Sequence, residues 1–333
     1  MGLCNSCSTG DSKEVTIERR TDSKLETAST RLSTQTNPES YSHLPTEAVP
    51  TTHISINNTI VLSILKQLGD YTFPDEKEPH DWSKYQAYEI DDVVYVGEFS
   101  QGRRHGKGKQ IWKDGTVYEG MWEDDQANGK GRIIHSHGDV YIGDWVDDQA
   151  EGLGTYFHHD GTQYFGEWSE DMQHGYGIEK YSDGSMYEGY FMFGAKQGKG
   201  TFKWADGSKY TGDFVDNTIH GFGFYEWADG RTFRGGWKNG RMHGQGVFTW
   251  PDGRVYEGEY FEDQKNGYGV FKWPDGREYE GFWKNGKQHG YGIYKHRGIA
   301  REGEWSEGKL LHWVDSGDSF KSSKSKEFDF ESD

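Results

Sequence analysis

From Tyr95 onward one pattern of 23 residues recurs nine times, and self-similarity at a fixed period constrains a fold more than any local propensity does. The repeats start at Tyr95, Tyr118, Tyr141, Tyr164, Tyr187, Tyr210, Phe233, Tyr256 and Tyr279. The ninth is one residue short, and a truncated tenth follows at Arg301. Position three is glycine throughout, from Gly97 to Gly281, and Gly303 continues the column. Position five is always aromatic: Phe99, Trp122, Trp145, Trp168, Phe191, Phe214, Trp237, Tyr260 and Trp283. Positions twelve and fourteen form an unbroken G-x-G, from Gly106 and Gly108 to Gly290 and Gly292, and an Asp-Gly pair such as Asp114-Gly115 closes most repeats.

Side chains alternate along a strand, so residues one, three and five share a face. Glycine at position three leaves space for rings from the neighbouring strand. The G-x-G begins the returning strand and lets aromatics lie flat on the backbone. Asp-Gly signals a type I′ hairpin turn, which needs positive φ at both central residues. Position eight is always Gly, Asp or Asn, types that tolerate the left-handed region, so a second turn belongs there. Each repeat reads as one β-hairpin. A lone hairpin is marginal in water, so neighbours must stack. The expected fold class is all-β: an elongated, twisted, single-layer solenoid of stacked antiparallel β-hairpins, preceded by a disordered tail and one short helix. About 18 strands at about 4.8 Å give a ribbon on the order of 85 Å long. Composition agrees, with 47 glycines, 7 prolines and half of the 32% apolar content in Phe, Trp and Tyr.

The formal charge of −18 argues against nucleic acid, since no net basic field exists to neutralise phosphates. Two cysteines, Cys4 and Cys7, exclude a disulfide framework and point to an intracellular chain. No stretch approaches the roughly 18 apolar residues that cross a bilayer, and the N-terminus lacks the apolar core of a secretory signal.

The columns Y-x-G-x-W, G-x-G and D-G resemble the MORN repeat (membrane occupation and recognition nexus), over residues 95 to about 314. Two places depart from it. His137-Gly138 replaces Asp-Gly in the second repeat, and Lys295-His296-Arg297 ends the ninth irregularly; loosened turns or an end cap are expected there. The resemblance implies a scaffold: related MORN proteins act at cell cortex, cilia and basal bodies, some as dimers and some holding a partner helix in a groove. By that resemblance the ring column, including Trp122, Trp145, Trp168 and Trp237, is the expected partner-binding groove, with buried core as the alternative for each ring. A homodimer is among the assemblies it implies.

No enzyme is expected. MORN arrays are sometimes joined to lipid kinases or lysine methyltransferases, but the 94 residues before the array are mostly polar, and no catalytic domain of usual size fits. Neither a Walker loop, nor a G-x-G-x-x-G opening a helix, nor H-E-x-x-H occurs. Five of the 14 histidines, His105, His174, His220, His243 and His289, hold position eleven. Equivalent positions lie two strands, roughly 10 Å, apart, so this column cannot converge on one zinc ion, whose nitrogen ligands stand at about 2.1 Å. A hydrogen-bonding role at the turn end is expected instead. No metal and no cofactor are expected.

Met1-Gly2-Leu3-Cys4-Asn5-Ser6 matches the M-G-x-x-x-[ST] myristoylation signal. One myristoyl chain anchors only marginally, and a second signal is needed. Residues 1–54 hold five basic against seven acidic side chains, so no polybasic patch supplies it; palmitoylation of Cys4 and Cys7 does. Lipidation is therefore expected at Gly2, Cys4 and Cys7. Four segments follow: an acylated, Ser/Thr-rich disordered tether over 1–54, a short helix and lead-in over 55–94, the array over 95–314, and an acidic tail over 315–333. Ile60, Val61, Ile64, Leu65 and Leu68 share a helical face between Asn58 and Gly69. That helix either packs on the ribbon or docks a partner or a membrane surface.

Phosphoinositide binding also comes with the resemblance, but residues 95–314 carry 26 basic and 34 acidic groups, and an acidic ribbon gains little from an anionic lipid surface. The expected function is a non-enzymatic, membrane-anchored scaffold that binds partner proteins at the cytosolic face of a plasma, cortical or ciliary membrane. The alternatives are an axonemal subunit resembling the radial-spoke-head MORN protein, and a regulatory module for a phosphoinositide kinase acting in trans.

Overall fold

Residues 49–52, 54–90 and 92–314 are described by the computed structural model. They divide into two compact units, one ending at Gly221 and one beginning at Phe222, and each is a series of antiparallel strands paired with their neighbours in sequence. In the first unit the strand Ala87–Ile90 pairs with Val49–Thr51 on one side and with Val93–Ser100 on the other. Pairing then runs strand by strand, through Arg103–Ile111, Val117–Glu123 and Gln126–Ile134, as far as Lys209–Val215. In the second unit it runs from Thr232–Lys238 to Lys309–Trp313. Two strands per repeat make stacked β-hairpins, the fold class that the repeat predicts. Val49–Thr51 lies inside the span read as tether; it carries Pro50, which an edge strand tolerates because one side of its backbone needs no donor.

The turns differ from the expectation. Positions seven and eight both take positive φ, as at Asp124 and Asp125 (48° and 72°) or Asp216 and Asn217 (46° and 66°). The two-residue type I′ turn therefore sits there. At Asp114-Gly115 only the glycine is left-handed, at 91°. Trp112 N–H donates to the Thr116 carbonyl, and Gly115 N–H donates back to the Trp112 carbonyl. That pattern is a three-residue loop whose glycine forms the bulge. The asparagine-like side chain matters as much: Asp114 accepts from Thr116 N–H, and the same bond recurs at Asp160, Asp183, Asp206 and Asp229. The His135–Asp139 loop keeps this geometry, with Gly138 at 106°, so it is not loosened. The ninth repeat is short because Arg297 and Gly298, at 51° and 77°, make a two-residue turn instead.

The position-three glycine is covered by the position-one ring of its own strand rather than by a neighbour's as expected, and the same ring also covers the position-fourteen glycine of the paired returning strand. A Cβ on Gly177 would stand 2.5 Å from the Tyr164 ring, and one on Gly189 would stand 2.6 Å from the Gly200 Cα. Position-twelve glycines serve a different need. The returning strand carries extra residues between Gly97↔Gly108 and Phe99↔Arg104, and Gly106 takes φ 69° in that bulge.

Position eight also ties repeat to repeat. Its backbone N–H donates to the position-ten carbonyl of the preceding repeat, as Asp148 does to Ala127. Its side chain accepts from the same residue's N–H at 2.7–2.9 Å, as at Asp125, Asp148, Asp171 and Asp263. The left-handed tolerance of Asp and Asn is thus joined to a capping role.

Candidate functional site

One face of each unit is closed by its own rings. Tyr118 meets Trp122 of its repeat and Trp145 of the next edge-on, at 5.1 and 5.3 Å; Tyr141 meets Trp145 and Trp168 at 5.2 and 5.1 Å. Such T-shaped pairs are favourable beyond the area they bury. Trp122, Trp145, Trp168 and Trp237 are only 1–5% exposed, so the structure places the expected groove residues in the core, flanked on both sides by ring neighbours. Burial pushes the hydroxyls of this column, such as Tyr164 and Tyr187, well above their ordinary pKa. Each is satisfied by donating to a backbone carbonyl three residues on, as Tyr164 does to Glu167.

The opposite face carries positions two, four, thirteen, fifteen, seventeen and twenty-three. Over its first repeats the chain covers this face itself. Asn58 caps the helix Thr59–Leu68 by accepting from Ile60 and Val61 N–H, and Gly69 ends it. The same Asn58 amide donates to the carbonyls of Asp114 and Ser136, which fixes the helix start on two successive loops. Val61, fully buried, packs with Ile111, Val117, Ile134 and Val140, and Ile64 and Leu65 flank it. The helical face is narrower than its sequence implies, because Ile60 and Leu68 remain 49% and 40% exposed.

Beyond the helix the lead-in continues along the same face. Arg132 donates to Glu119 at 2.5 Å and to the Gly69 carbonyl at 3.0 Å, with its guanidinium 5.5 Å from the Tyr71 ring centroid. Lys109 stands 3.1 Å from the other Glu119 oxygen. Lys107 bridges Asp75 and Glu76 at 2.8 Å each and lies over Phe73. The sequence signal for this docking is local: position seventeen is Ile111, Ile134 and Phe157 in the first three repeats but Lys180 and Lys203 afterwards.

Where that cover ends, the face presents rings. In the first unit Phe165, Tyr176 and Tyr190 are 43–56% exposed, beside Leu153. Tyr176 and Tyr190 sit opposite each other on paired strands, edge to face at 5.5 Å, and Tyr176 donates to Glu188 at 2.7 Å. The second unit repeats the device with Tyr268 and Phe282 on the positions of Tyr176 and Tyr190, beside Tyr291 at position thirteen of the next repeat, Tyr268 donating to Glu280 at 2.9 Å. The invariant column drew attention to position five; the accessible rings lie at the variable positions two, four and thirteen.

Gly2, Cys4 and Cys7 lie outside the described residues. Among the described residues no helix is long and apolar enough to cross a membrane. The position-eleven histidines do not gather. His174 and His243 pack against Phe193 and Phe261, and the Nδ1 atoms of His174 and His289 are buried without a hydrogen-bond partner, so at these sites ring packing replaces the expected turn-end bond. One set of side chains among the described residues brings metal-ligating atoms together: Asp139, His158 and His159.

Solved structures similar to the chain include the TCP10 domain of Danio rerio CPAP with a peptide of Danio rerio STIL, at 14% identity and TM-score 0.39, covering 66% of this chain and 98% of that one. Another is the SAS-4 (dCPAP) TCP domain of Drosophila melanogaster with a proline-rich motif of Ana2, at 12% identity and TM-score 0.30, covering 58% and 99%. No curated protein matches. The MORN repeat model matches residues 95–117, 118–140, 141–163, 164–186, 187–209, 210–230, 233–253, 256–276 and 279–297. These segments make up more than half of the 333 residues and coincide with the hairpins, so the chain belongs to the MORN-repeat family.

Proposed function

We propose that this protein is a non-enzymatic scaffold that binds partner proteins on the ring-bearing face of its hairpin array and is tethered to the cytosolic side of a membrane by acylation of Gly2, Cys4 and Cys7. The observation that carries the binding part is the row Phe165, Tyr176 and Tyr190, half exposed on a face that the chain covers elsewhere with its own helix. A sheet one layer thick leaves apolar rings wet unless something covers them. The occupant is a helix with an aliphatic stripe continuing into an aromatic, acidic extended segment, because residues 58–76 of this chain cover the same face in that way. The tether rests on the N-terminal sequence alone.

Proximity labelling tests both parts separately. Phe165→Ser/Tyr190→Ser should stay with membranes and lose the labelled partners, while Gly2→Ala should become soluble. An unchanged set of labelled partners with the face variant overturns the binding surface; membrane retention of Gly2→Ala overturns the anchor.

A further inference from the structure

Three histidines of the second and third repeats face one carboxylate, and a fourth, His135, stacks beside them. At position eighteen, where Trp112, Trp204, Trp227, Trp250 and Trp273 stand, the second and third repeats have His135 and His158. At position twenty, usually the Asp of Asp-Gly, the second repeat has His137, and at position nineteen the third has His159. Between them lies Asp139, at a position that is Thr, Ser or Arg elsewhere. Asp139 is 1% exposed.

Its Oδ1 accepts from His159 N–H at 2.9 Å and stands 2.8 Å from His159 Nδ1. The backbone bond is the counterpart of the one that Thr116 and Ser185 accept in their own loops. Oδ2 has no such counterpart. Tyr156 donates its hydroxyl to it, and His137 Nε2 and His158 Nε2 stand 3.3 and 3.5 Å away. Those separations exceed the roughly 2.7–2.9 Å of a charge-assisted hydrogen bond. The His158 separation matches the roughly 3.4 Å between neighbouring donors around a tetrahedral ion with bonds of about 2.1 Å, and the ligating atoms of Asp139, His158 and His159 lie within 4.8 Å of one another, a set that leaves out His137. His135 stacks on His137 at 5.3 Å and buttresses its ring.

We propose that Asp139, His158 and His159, whose ligating atoms all lie within 4.8 Å of one another, form a binding site for a borderline transition-metal dication, zinc foremost, with water in the fourth position. Two imidazole nitrogens and one carboxylate oxygen suit zinc, and they run against the all-oxygen preference of magnesium and calcium. Tyr156 is a positioning residue that holds the carboxylate while leaving Oδ2 a free lone pair. The ion would tie the His135–Asp139 loop to the following His158–Gly161 loop. The helix rests on the first of these, since Ile60 and Ile64 are the atoms that a Cβ on Gly138 would meet, at 3.2 and 3.8 Å. This site is independent of the ring-bearing face and of the acylated N-terminus.

The test uses the full-length chain without a histidine tag, with Cys4→Ser and Cys7→Ser added so that Cys4-x-x-Cys7 cannot contribute. Titration with Zn²⁺ or Co²⁺ should show one ion per chain, with the intense d–d absorption of tetrahedral Co²⁺. His158→Gln or His159→Gln should weaken binding at least 100-fold, and Tyr156→Phe by about 10- to 100-fold. His243→Gln should leave it unchanged. Should a ligand variant not fold, diethylpyrocarbonate footprinting of the unsubstituted chain decides: Zn²⁺ should protect His158 and His159 and not His243. Absence of stoichiometric binding, an unchanged affinity in His158→Gln and His159→Gln, or no metal-dependent protection each overturns the proposal.

Discussion

Replacing Arg132 by Met should release the chain's own cover from the sheet. Arg132 is 4% exposed and makes three contacts at once: Glu119 at 2.5 Å, the carbonyl of Gly69 at the end of the helix, and the Tyr71 ring. A hydrogen bond between charged groups contributes about 1.5–3 kcal/mol, the bond to a backbone carbonyl about 1, and the cation–π contact about 0.5–1. Methionine restores part of the packing and avoids burying a guanidinium. Lys109, 3.1 Å from Glu119, keeps the remaining carboxylate from being fully orphaned. The net loss is about 2–4 kcal/mol. Hydrogen exchange is the assay, because repeat proteins open locally rather than all at once. Amides of residues 59–73 should exchange roughly 30- to 800-fold faster, at about 1.4 kcal/mol per tenfold, while the array beyond residue 160 holds its protection. Glu119→Gln/Arg132→Met should recover part of the loss, since no buried carboxylate is left behind. Wild-type exchange over 59–73 in the single variant, or a double variant worse than the single, refutes the reasoning.

Three further outcomes follow from the packing. Val61→Asp puts a carboxylate at a fully buried site, so it should undock the helix and make residues 54–86 susceptible to limited proteolysis; resistance equal to wild type counts against the docking. Gly177→Ala places a Cβ 2.5 Å from the Tyr164 ring and should destabilise the first unit by about 2–4 kcal/mol in urea unfolding, the upper range for overpacking against a rigid ring. Burial, with Arg254 nearby, pushes the Lys265 ammonium down to about 7, where it lies 4.6–5.2 Å from the ring centroids of Trp250, Tyr256, Phe271 and Trp283. Between pH 7 and the unfolded value near 10.5 the unfolded chain binds the proton and the folded chain does not, so stability should rise with pH over that window. Lys265→Met should flatten this rise and gain about 1 kcal/mol at pH 7; an unchanged pH slope would sink the assignment.

The hairpins could be read from the sequence because their constraints repeat. Glycine at positions three and fourteen answers to a ring and a backbone that recur every 23 residues, and nine copies outweigh any local ambiguity. Turn types were not legible from residue identity alone. Asp-Gly serves a type I′ turn and a three-residue bulged loop equally well, and only the backbone bond from Gly115 to Trp112 separates them. The ring column marks the core for a physical reason. A column held constant through every repeat satisfies contacts that every repeat makes, and those are core contacts such as Tyr118 with Trp145. Residues that differ between repeats, such as Tyr176 and Tyr190 on the open face and Ile111 and Ile134 under the helix, mark what each stretch of the face does. Asp139 with its histidines was missed because the histidine count went to the column at position eleven. The signal was the joint departure of two adjacent repeats at positions eighteen to twenty.

The bond from position eight back to position ten of the preceding repeat gives the array a rule for changing its length. A repeat with Asp or Asn at position eight brings the acceptor for its predecessor and leaves an N–H for its successor, as Asp148 does toward Ala127 and Asp171 toward Ala150. A duplication or deletion of whole 23-residue modules therefore conserves every such bond but one, and adds or removes two strands, about 10 Å of sheet. A one-residue shift within a strand instead turns the rest of that strand's side chains to the opposite face. The helix sets the origin of this ruler, since only the opening repeats carry the aliphatic seat for Val61. Lengthening by gene duplication can therefore extend the ring-bearing surface without disturbing the end that is already covered.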